Sequence, residues 1–356
     1  MTLLDTLVEQ AIESELFTSP RIDADLARFL AEQTDALKAL ARRTADGEFD
    51  RVYFVGGGGS LANMVSGQYL VDRFGGAAAT ALPSYELTWR DPAALGPRSI
   101  VFLASYSGAT EDTLAAMRYA NAKGAHTVAL ARRRPSPMAT EASQLIDYDS
   151  AALYDLPLAA VTIFAAELAR LTGSPRADEA IALLADLERL PEVLGRVYRD
   201  AQAPALEQAR ELLSANLLYC VAAGPLAGLA YKFALTVFME NIRVHGSFIE
   251  SGELRHGPVE AFERQRPDMV FLLGTDESRA MTERAIAISR QAGARTLVLD
   301  ANDYPAVHPL LTPFVLLIPL QWFTVYSALL RGITDLDERV FMGHRVLATG
   351  PDATWP

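Results

Sequence analysis

The chain has 356 residues, half of them hydrophobic and 21% charged, and its formal net charge at pH 7 is −12. This composition predicts a soluble globular protein of two domains, or one large α/β domain, with enough apolar material for real cores. The negative charge argues against a nucleic-acid or anionic-membrane partner, because both need a positive field. It leaves room for a phosphorylated substrate, which needs only a local anion site.

The single cysteine, Cys220, lies in an apolar run. A disulfide framework and a cysteine-built zinc site are therefore excluded, and a reducing environment is favoured. The N-terminus mixes acids with aliphatic residues and lacks the basic start of a signal peptide. No membrane span is predicted, because Pro225 and Lys232 interrupt the best candidate. These features predict a cytoplasmic protein.

The first half of the chain is typical of a parallel sheet. Residues 1–47 predict two amphipathic helices separated by Ser19 and Pro20. A strand at 51–55, a glycine loop ending at Ser60 and a helix at 61–74 then open a βαβ unit. Further strands are predicted at 77–82, 99–104, 127–131 and 145–148, and a helix at 153–171 closes the unit.

The same plan starts again at residue 217, where a strand runs into a glycine loop and a helix. This recurrence suggests a duplicated domain. Later strands are predicted at 269–273, 295–299 and 314–319, with helices at 282–292 and 321–331. Because the second half repeats the plan of the first, we predict two five-stranded parallel sheets, each flanked by helices in a flavodoxin-like αβα sandwich. The predicted regions are N-terminal helices 1–47, a first domain 48–175, a helical linker 176–205, a second domain 206–334 and a tail 335–356.

The stretch 240–260 gathers acids and a histidine, with no lysine, after the apolar segment 217–239. Its candidate groups for proton transfer are Glu240, Glu250, Glu253, His256 and Glu260. Carboxylates and an imidazole beside a buried helix end suit proton transfer, because such surroundings tune proton affinities toward neutral pH. The alternative is a solvated loop in which residues 256–258 form only a turn.

Three hydroxyl residues, Ser105, Ser107 and Thr110, follow the predicted strand 99–104 and precede a helix. Ligands of parallel sheets bind at the carboxyl ends of strands, and a helix start attracts a phosphate. The alternative is that Ser107 or Thr110 is an ordinary N-cap, with Glu111 in the first turn. Three hydroxyls around one glycine exceed what a cap requires, which favours phosphate. Ser60 can donate to the same anion from the neighbouring loop.

The glycine loop 56–59 does not predict a dinucleotide site. Ala62 stands where the last glycine of the fingerprint belongs, and no Walker lysine follows. The histidines do not form a metal-binding spacing such as HExxH. We therefore predict neither a cofactor nor a metal.

Residues 105–110 and 252–258 resemble motifs of the double sugar-isomerase (SIS) domain proteins, which include the isomerase half of glucosamine-6-phosphate synthase. The resemblance covers nearly everything from about residue 45 onward. Within the family the likeness is greatest to the fructoselysine 6-phosphate deglycases. The stretches that carry it are 221–226, 245–246 with 249–260, 271–279 and 337–339.

The resemblance implies a role for each candidate residue. Ser60, Ser105, Ser107 and Thr110 would hold the sugar phosphate. Glu240 would be the carboxylate base and His256 the histidine that opens the sugar ring. The site would be completed across a homodimer, with the histidine coming from the neighbouring subunit. Further possible substrate contacts are Gly58, Gly59, Tyr106, Glu253 and His344.

Three departures weigh against a synthase. Tyr106 replaces a glutamine of the synthase loop, Val237 replaces a lysine that precedes the base, and the C-terminal lysine is replaced near His344. The chain also lacks the glutaminase half. A deglycase acting on a phosphorylated sugar-amine is therefore expected, with Glu240 moving a proton from C1 to C2 and needing a proton affinity raised by partial burial.

Two other functions remain open. A plain aldose–ketose phosphate isomerase or an aminosugar-phosphate deaminase would use the same base and phosphate loop. A non-catalytic phosphosugar-binding regulator would have no need of Glu240, and it normally carries a DNA-binding segment that the acidic N-terminus does not supply.

Overall fold

The computed structural model describes residues 3–15 and 17–341. Its first helices are α1, Leu3–Ala11, and α2, Ile22–Ala45, with one short 3₁₀ turn at Ser19–Arg21 between them. Pro20 lies in that turn, where its missing N–H and fixed φ are tolerated. The prediction of two N-terminal helices is confirmed.

The first sheet has five parallel strands in the order β2-β1-β3-β4-β5. They are β1 Arg51–Gly56, β2 Ala78–Pro83, β3 Ser99–Ala104, β4 His126–Arg132 and β5 Gln144–Tyr148. The helices that connect or follow them are α3 Gly58–Phe74, α4 Ser84–Arg90, α5 Glu111–Ala122, α6 Pro137–Glu141 and α7 Asp155–Thr172. This is the flavodoxin-like order: β2 lies on one side of β1, and β3 and the later strands lie on the other side. In such sheets ligands bind at the C-terminal ends of the strands, where the strand order switches between β1 and β3. The five predicted strands are confirmed.

Both faces of this sheet are covered, and its central strand β3 is apolar from Ile100 to Ala104. All six residues of β3 are buried. On one face Phe102 lies 5.4 Å from the ring of Phe54 and 4.8 Å from that of Phe164 on α7. On the other face Val101 and Leu103 pack in a cluster with residues of α5. A strand buried on both faces needs apolar side chains at every position, not only at alternate ones.

The second sheet has four parallel strands in the order β7-β6-β8-β9. They are β6 Leu217–Ala222, β7 His245–Glu250, β8 Asp268–Leu273 and β9 Arg295–Asp300. Its helices are α9 Ala227–Lys232, which continues as a π-helical segment Phe233–Ile242, then α10 Arg279–Gln291 and α11 Thr312–Leu330. The strand order matches the first four strands of the other sheet.

The prediction of five strands in this second sheet is wrong for the part of the chain that the structure describes. The run 314–319, predicted as a strand, belongs to α11 together with the predicted helix that follows it. Nearly every residue of α11 is buried, so the helix is apolar on all sides and has no polar face to reveal its period. A short apolar run by itself does not distinguish a buried strand from a buried helix.

The apolar composition of α11 also concerns the prediction that the chain has no membrane span. The stretch Pro309–Leu330 is long and apolar enough to cross a bilayer, but 89% of its most apolar window is buried within the protein. It therefore has the character of a core helix. The best apolar candidate identified from the sequence was a different one, the stretch that Pro225 and Lys232 interrupt.

One strand was missed, since β7 lies inside the stretch interpreted as a site loop. It is partly exposed along most of its length and includes a glycine at position 246. It pairs with β6 alone. Such an edge strand does not need the continuous apolar run that marks a central one.

Two compact units contain the two sheets. One comprises Ala24–Glu188, and the other combines the residues up to Asp23 with Arg189–Glu338. The predicted helical linker is part of a longer helix, α8, Ala177–Glu211, which carries Pro191 and Pro204 in its interior. The domain boundaries at 48–175 and 206–334 stay a prediction.

Each unit has a hydrogen bond between two hydroxyl groups at an equivalent place in its fold. Directly after β2, the hydroxyl of Ser84 lies 2.9 Å from that of Thr113 in α5. Directly after β7, the hydroxyl of Ser251 also lies 2.9 Å from that of Thr282 in α10. A repeated buried bond on a repeated strand order supports an internal duplication.

Candidate active site

The structure brings the three predicted hydroxyls of the loop after β3 together. Ser105 extends the sheet, since its N–H donates to the carbonyl of Leu130 on β4 at 3.1 Å. Its buried hydroxyl lies 2.7 Å from Thr110 Oγ1. The hydroxyl of Ser107 lies 3.4 Å from the same Thr110 atom. We call residues 105–110 the hydroxyl loop.

Thr110 immediately precedes α5 but does not cap it with its side chain. Its hydroxyl faces the two serines instead. Ser107 Oγ accepts a hydrogen bond from Ala109 N at 3.1 Å, within the loop. The interpretation of Ser107 or Thr110 as an ordinary N-cap is therefore wrong. The hydroxyls and the start of the helix together form a place where an anion is favoured.

Gly108 fixes the backbone of the hydroxyl loop. Its φ is +64°, and a Cβ at this position would lie 2.3 Å from Ser136 Oγ. Its carbonyl accepts from the N–H of Met138 at 3.1 Å. Both contacts come from the segment that follows β4, and this segment holds the loop in place. Because it lies so close and the φ of Gly108 is positive, only glycine fits at this position.

Helix α3, which follows the neighbouring glycine loop, begins earlier than the predicted start at residue 61. The helix starts at Gly58, so Gly58, Gly59 and Ser60 lie in its first turn rather than in an open loop. Ser60 is half-buried. A Cβ at Gly57 would lie 3.3 Å from Asp112 Oδ2, which shows that this turn adjoins the start of α5.

Asp112 was not singled out from the sequence. Burial raises the pKa of its carboxyl, the charge of Glu111 adds to the effect, and hydrogen bonds from Thr113 oppose it. The Thr113 N–H donates to Asp112 Oδ1 at 2.6 Å. An acid in the first turn of α5 influences which anions this helix start accepts.

The duplicated loop in the second unit has different chemistry. Aligned on Thr113 and Thr282, Ser107 corresponds to Asp276, and Thr110 corresponds to Arg279. Asp276 Oδ2 accepts from Ser278 N at 3.0 Å. Arg279 donates to both carboxyl oxygens of Asp300, at 2.8 and 2.7 Å. An acid in the place of a serine disfavours phosphate, so of the two loops only the one after β3 suits this anion.

Glu240 lies in the π-helical segment Phe233–Ile242, near its end. Segments of this kind are rare and frequently mark functional sites. Phe233, Phe238 and Ile242 are buried, whereas Glu240 is exposed. The partial burial that was expected from the helix end is therefore wrong, because the segment turns its apolar side chains inward and Glu240 outward.

Glu250 has a structural task. Its carboxylate accepts from the N–H groups of Gly252, at 2.7 Å, and Glu253, at 3.2 Å. It therefore holds the turn that leads to His256. Glu253 itself is exposed and offers its side chain to solvent.

His256 lies in a turn, but its side chain is exposed and accessible. Its Nε2 accepts from Arg255 Nε at 3.3 Å. Gly257, with φ +142° and open space around it, makes the turn that follows. The turn interpretation and the functional one are thus compatible.

The remaining site residues are placed as follows. Tyr106 contacts Arg132 and Arg134, two residues that were not predicted from the sequence to belong to the site. The signal available was a run of three arginines at a strand end in an acidic chain.

Val237 is half-buried in the π-helical segment. His344 lies outside the described residues. Within 3–15 and 17–341, no three His, Cys, Asp or Glu side chains converge on a place for a metal ion.

The candidate residues belong to two units, each described by itself. The hydroxyl loop and Ser60 belong to the unit Ala24–Glu188, and Glu240 and His256 belong to the unit that contains Arg189–Glu338. Each unit thus has a parallel α/β sheet, and the hydroxyl loop lies at the end of a strand in the first of them.

Comparison with known proteins agrees with this architecture. Residues 48–169 match the SIS domain. An Escherichia coli protein named fructoselysine 6-phosphate deglycase is 33% identical over 321 residues, covering 90% of this chain and 93% of the relative. The Bacillus subtilis fructosamine deglycase FrlB is 34% identical over 263 residues, covering 72% and 78%.

A solved structure shows the same fold. The crystal structure of a Bacillus subtilis protein described as a phosphosugar isomerase has a TM-score of 0.77 at 27% identity, covering 90% of this chain and 97% of that one. The chain therefore belongs to the SIS-domain family. It is an enzyme of the phosphosugar deglycase and isomerase class.

Proposed function

We propose that this enzyme is a deglycase that cleaves a ketosamine 6-phosphate, such as fructoselysine 6-phosphate, to a hexose 6-phosphate and a free amine or amino acid. The observation that carries the proposal is the convergence of the Ser105, Ser107 and Thr110 hydroxyls at the uncapped start of α5. The names of the Escherichia coli and Bacillus subtilis relatives support the choice of substrate.

The reaction follows from the acidity of the open-chain substrate. Its C1 carries the amine and lies next to the C2 carbonyl, so the C1 proton is acidic. Glu240 removes that proton to give an enaminol and returns it to C2, which leaves an imine at C1. Water then adds at C1, and the C–N bond breaks to give the amine and the aldehyde of the hexose phosphate. His256 moves the proton between the ring oxygen and the hydroxyl when the sugar opens.

The proposed reaction also involves a second subunit. We propose a homodimer in which His256 of one subunit completes the site of the other. Leu235 and Met239, which are 42% and 39% exposed, lie on the same π-helical segment as Glu240. Covering this apolar surface and binding the sugar would shield Glu240 from solvent. A cytoplasmic location stays a prediction from the sequence.

The test is to incubate the protein with fructoselysine 6-phosphate and fructose 6-phosphate in parallel, assaying free lysine and glucose 6-phosphate. Lysine release from the first substrate is expected. Interconversion of fructose 6-phosphate alone would favour a plain isomerase. Tight binding of both compounds with no turnover of either would favour a regulator.

A further inference from the structure

Beside the hydroxyl loop lies a cluster of one aromatic ring and two guanidinium groups. Tyr106, between the two loop serines, accepts a hydrogen bond on its phenol oxygen from Arg132 Nη1 at 2.5 Å. Its ring centroid lies 5.3 Å from the guanidinium carbon of Arg132 and 5.4 Å from that of Arg134. Both distances are within the range of a cation–π contact.

The position of this cluster relative to the hydroxyl loop is fixed by two contacts. The N–H of Arg132 donates to the carbonyl of Tyr106 at 3.4 Å. Ser136, two residues after Arg134, packs against Gly108, where no Cβ fits. The arginines therefore adjoin the loop on its β4 side.

The three arginines in this run have different tasks. Arg133 pairs with Asp147, at 2.8 Å, and with Glu32. Arg132 holds the phenol of Tyr106. Arg134 is exposed, and among the residues that the structure describes it makes no ion pair. In a chain of net charge −12, an exposed guanidinium held on a ring beside an anion site is suited to binding a ligand.

We propose that Arg134, held by the Tyr106–Arg132 pair, is a binding residue for the phosphate of the substrate. The inference rests on the proposed function, because it takes the hydroxyl loop as the phosphate site. The loop offers hydroxyls and backbone N–H groups but no cation of its own, and a guanidinium supplies the charge and a planar fork of donors. Tyr106 thereby acquires a positioning role that a glutamine at this place would not have.

The test measures binding of glucose 6-phosphate by calorimetry, without turnover. Arg134→Ala is expected to weaken this binding about tenfold, and Arg134→Lys by less, because charge is kept but the fork is lost. Tyr106→Leu, which removes the ring under the guanidinium, should also weaken it. Arg98→Ala is the matched control, since Arg98 is exposed, pairs with Asp50 and precedes β3 at the opposite end of the strand. It should bind as the wild type does.

The outcomes separate this proposal from the deglycase reaction. Unchanged glucose 6-phosphate binding in Arg134→Ala overturns the inference. This holds even if the same variant binds fructoselysine 6-phosphate more weakly, because that result would mean that Arg134 contacts the carboxylate of the lysine part. Weakened glucose 6-phosphate binding supports it, whether or not the wild type releases lysine from fructoselysine 6-phosphate. Failure of the wild type to bind any hexose 6-phosphate overturns both this inference and the assignment of the loop.

Discussion

A Cβ atom at Gly246 would lie 2.0 Å from the carbonyl oxygen of Ala234. Gly246 is the second residue of β7, and Ala234 belongs to the π-helical segment that carries Glu240. The strand thus packs directly on the backbone of this segment, and a hydrogen atom is the largest group that the contact accepts.

Gly246→Ala is therefore expected to destabilise the protein by about 3 kcal/mol or more, because the neighbour is backbone and not a flexible side chain. Denaturation in urea measures the loss. Gly96→Ala is the matched control, since the nearest atom to a Cβ at Gly96 is 3.9 Å away. Equal stability of the two variants would show that β7 does not pack on the segment as described.

Glu240→Gln should lower kcat by about a thousandfold, because an amide cannot accept the C1 proton. The affinity for a hexose 6-phosphate should stay largely unchanged, since the phosphate is held elsewhere. Steady-state kinetics and calorimetry measure the two quantities. Glu263→Gln, which changes an exposed acid just after the stretch 240–260, should retain activity. Full turnover with lost binding in Glu240→Gln would refute the base assignment.

The double variant Ser107→Ala, Thr110→Ala should raise KM for the phosphorylated substrate by about tenfold or more, because each lost hydroxyl removes a hydrogen bond to a charged group. Ser278→Ala, in the corresponding loop of the second unit, serves as the control and should leave KM unchanged. If the double variant keeps the wild-type KM, the anion binds elsewhere.

The Arg279–Asp300 pair should contribute stability that depends on pH. Hydrogen bonding from Arg279 lowers the pKa of Asp300, and burial opposes this effect. A carboxyl whose pKa is lower in the folded state stabilises the fold above its unfolded pKa of about 3.9, and this contribution is lost as the pH falls through the folded value.

Asp300→Asn is accordingly expected to cost about 1 to 2 kcal/mol at pH 7, with the difference from wild type shrinking below about pH 3. Urea denaturation at several pH values checks this. Asp50→Asn removes an exposed partner of Arg98 and should cost much less. A difference for Asp300→Asn that stays constant down to pH 2 would contradict an ionic origin.

The sequence by itself determined the parallel architecture of the first sheet and the chemistry of the hydroxyl loop. The strand Ser99–Ala104 has the predicted bounds, because its apolar run from Ile100 to Ala104 is what a strand covered on both faces needs. The grouping of Ser105 with Thr110 follows from their closeness in the chain, since both lie in one short loop between a strand and a helix.

Only the tertiary structure decided features that depend on residues far apart in the chain. The run 314–319 is helical because it is surrounded by apolar neighbours, and its own composition suits either structure. Glu250 accepts hydrogen bonds from the turn after β7, and Glu240 is exposed on the outer side of the π-helical segment. Arg134 reaches Tyr106 because β4 lies beside β3, a pairing that no local pattern contains.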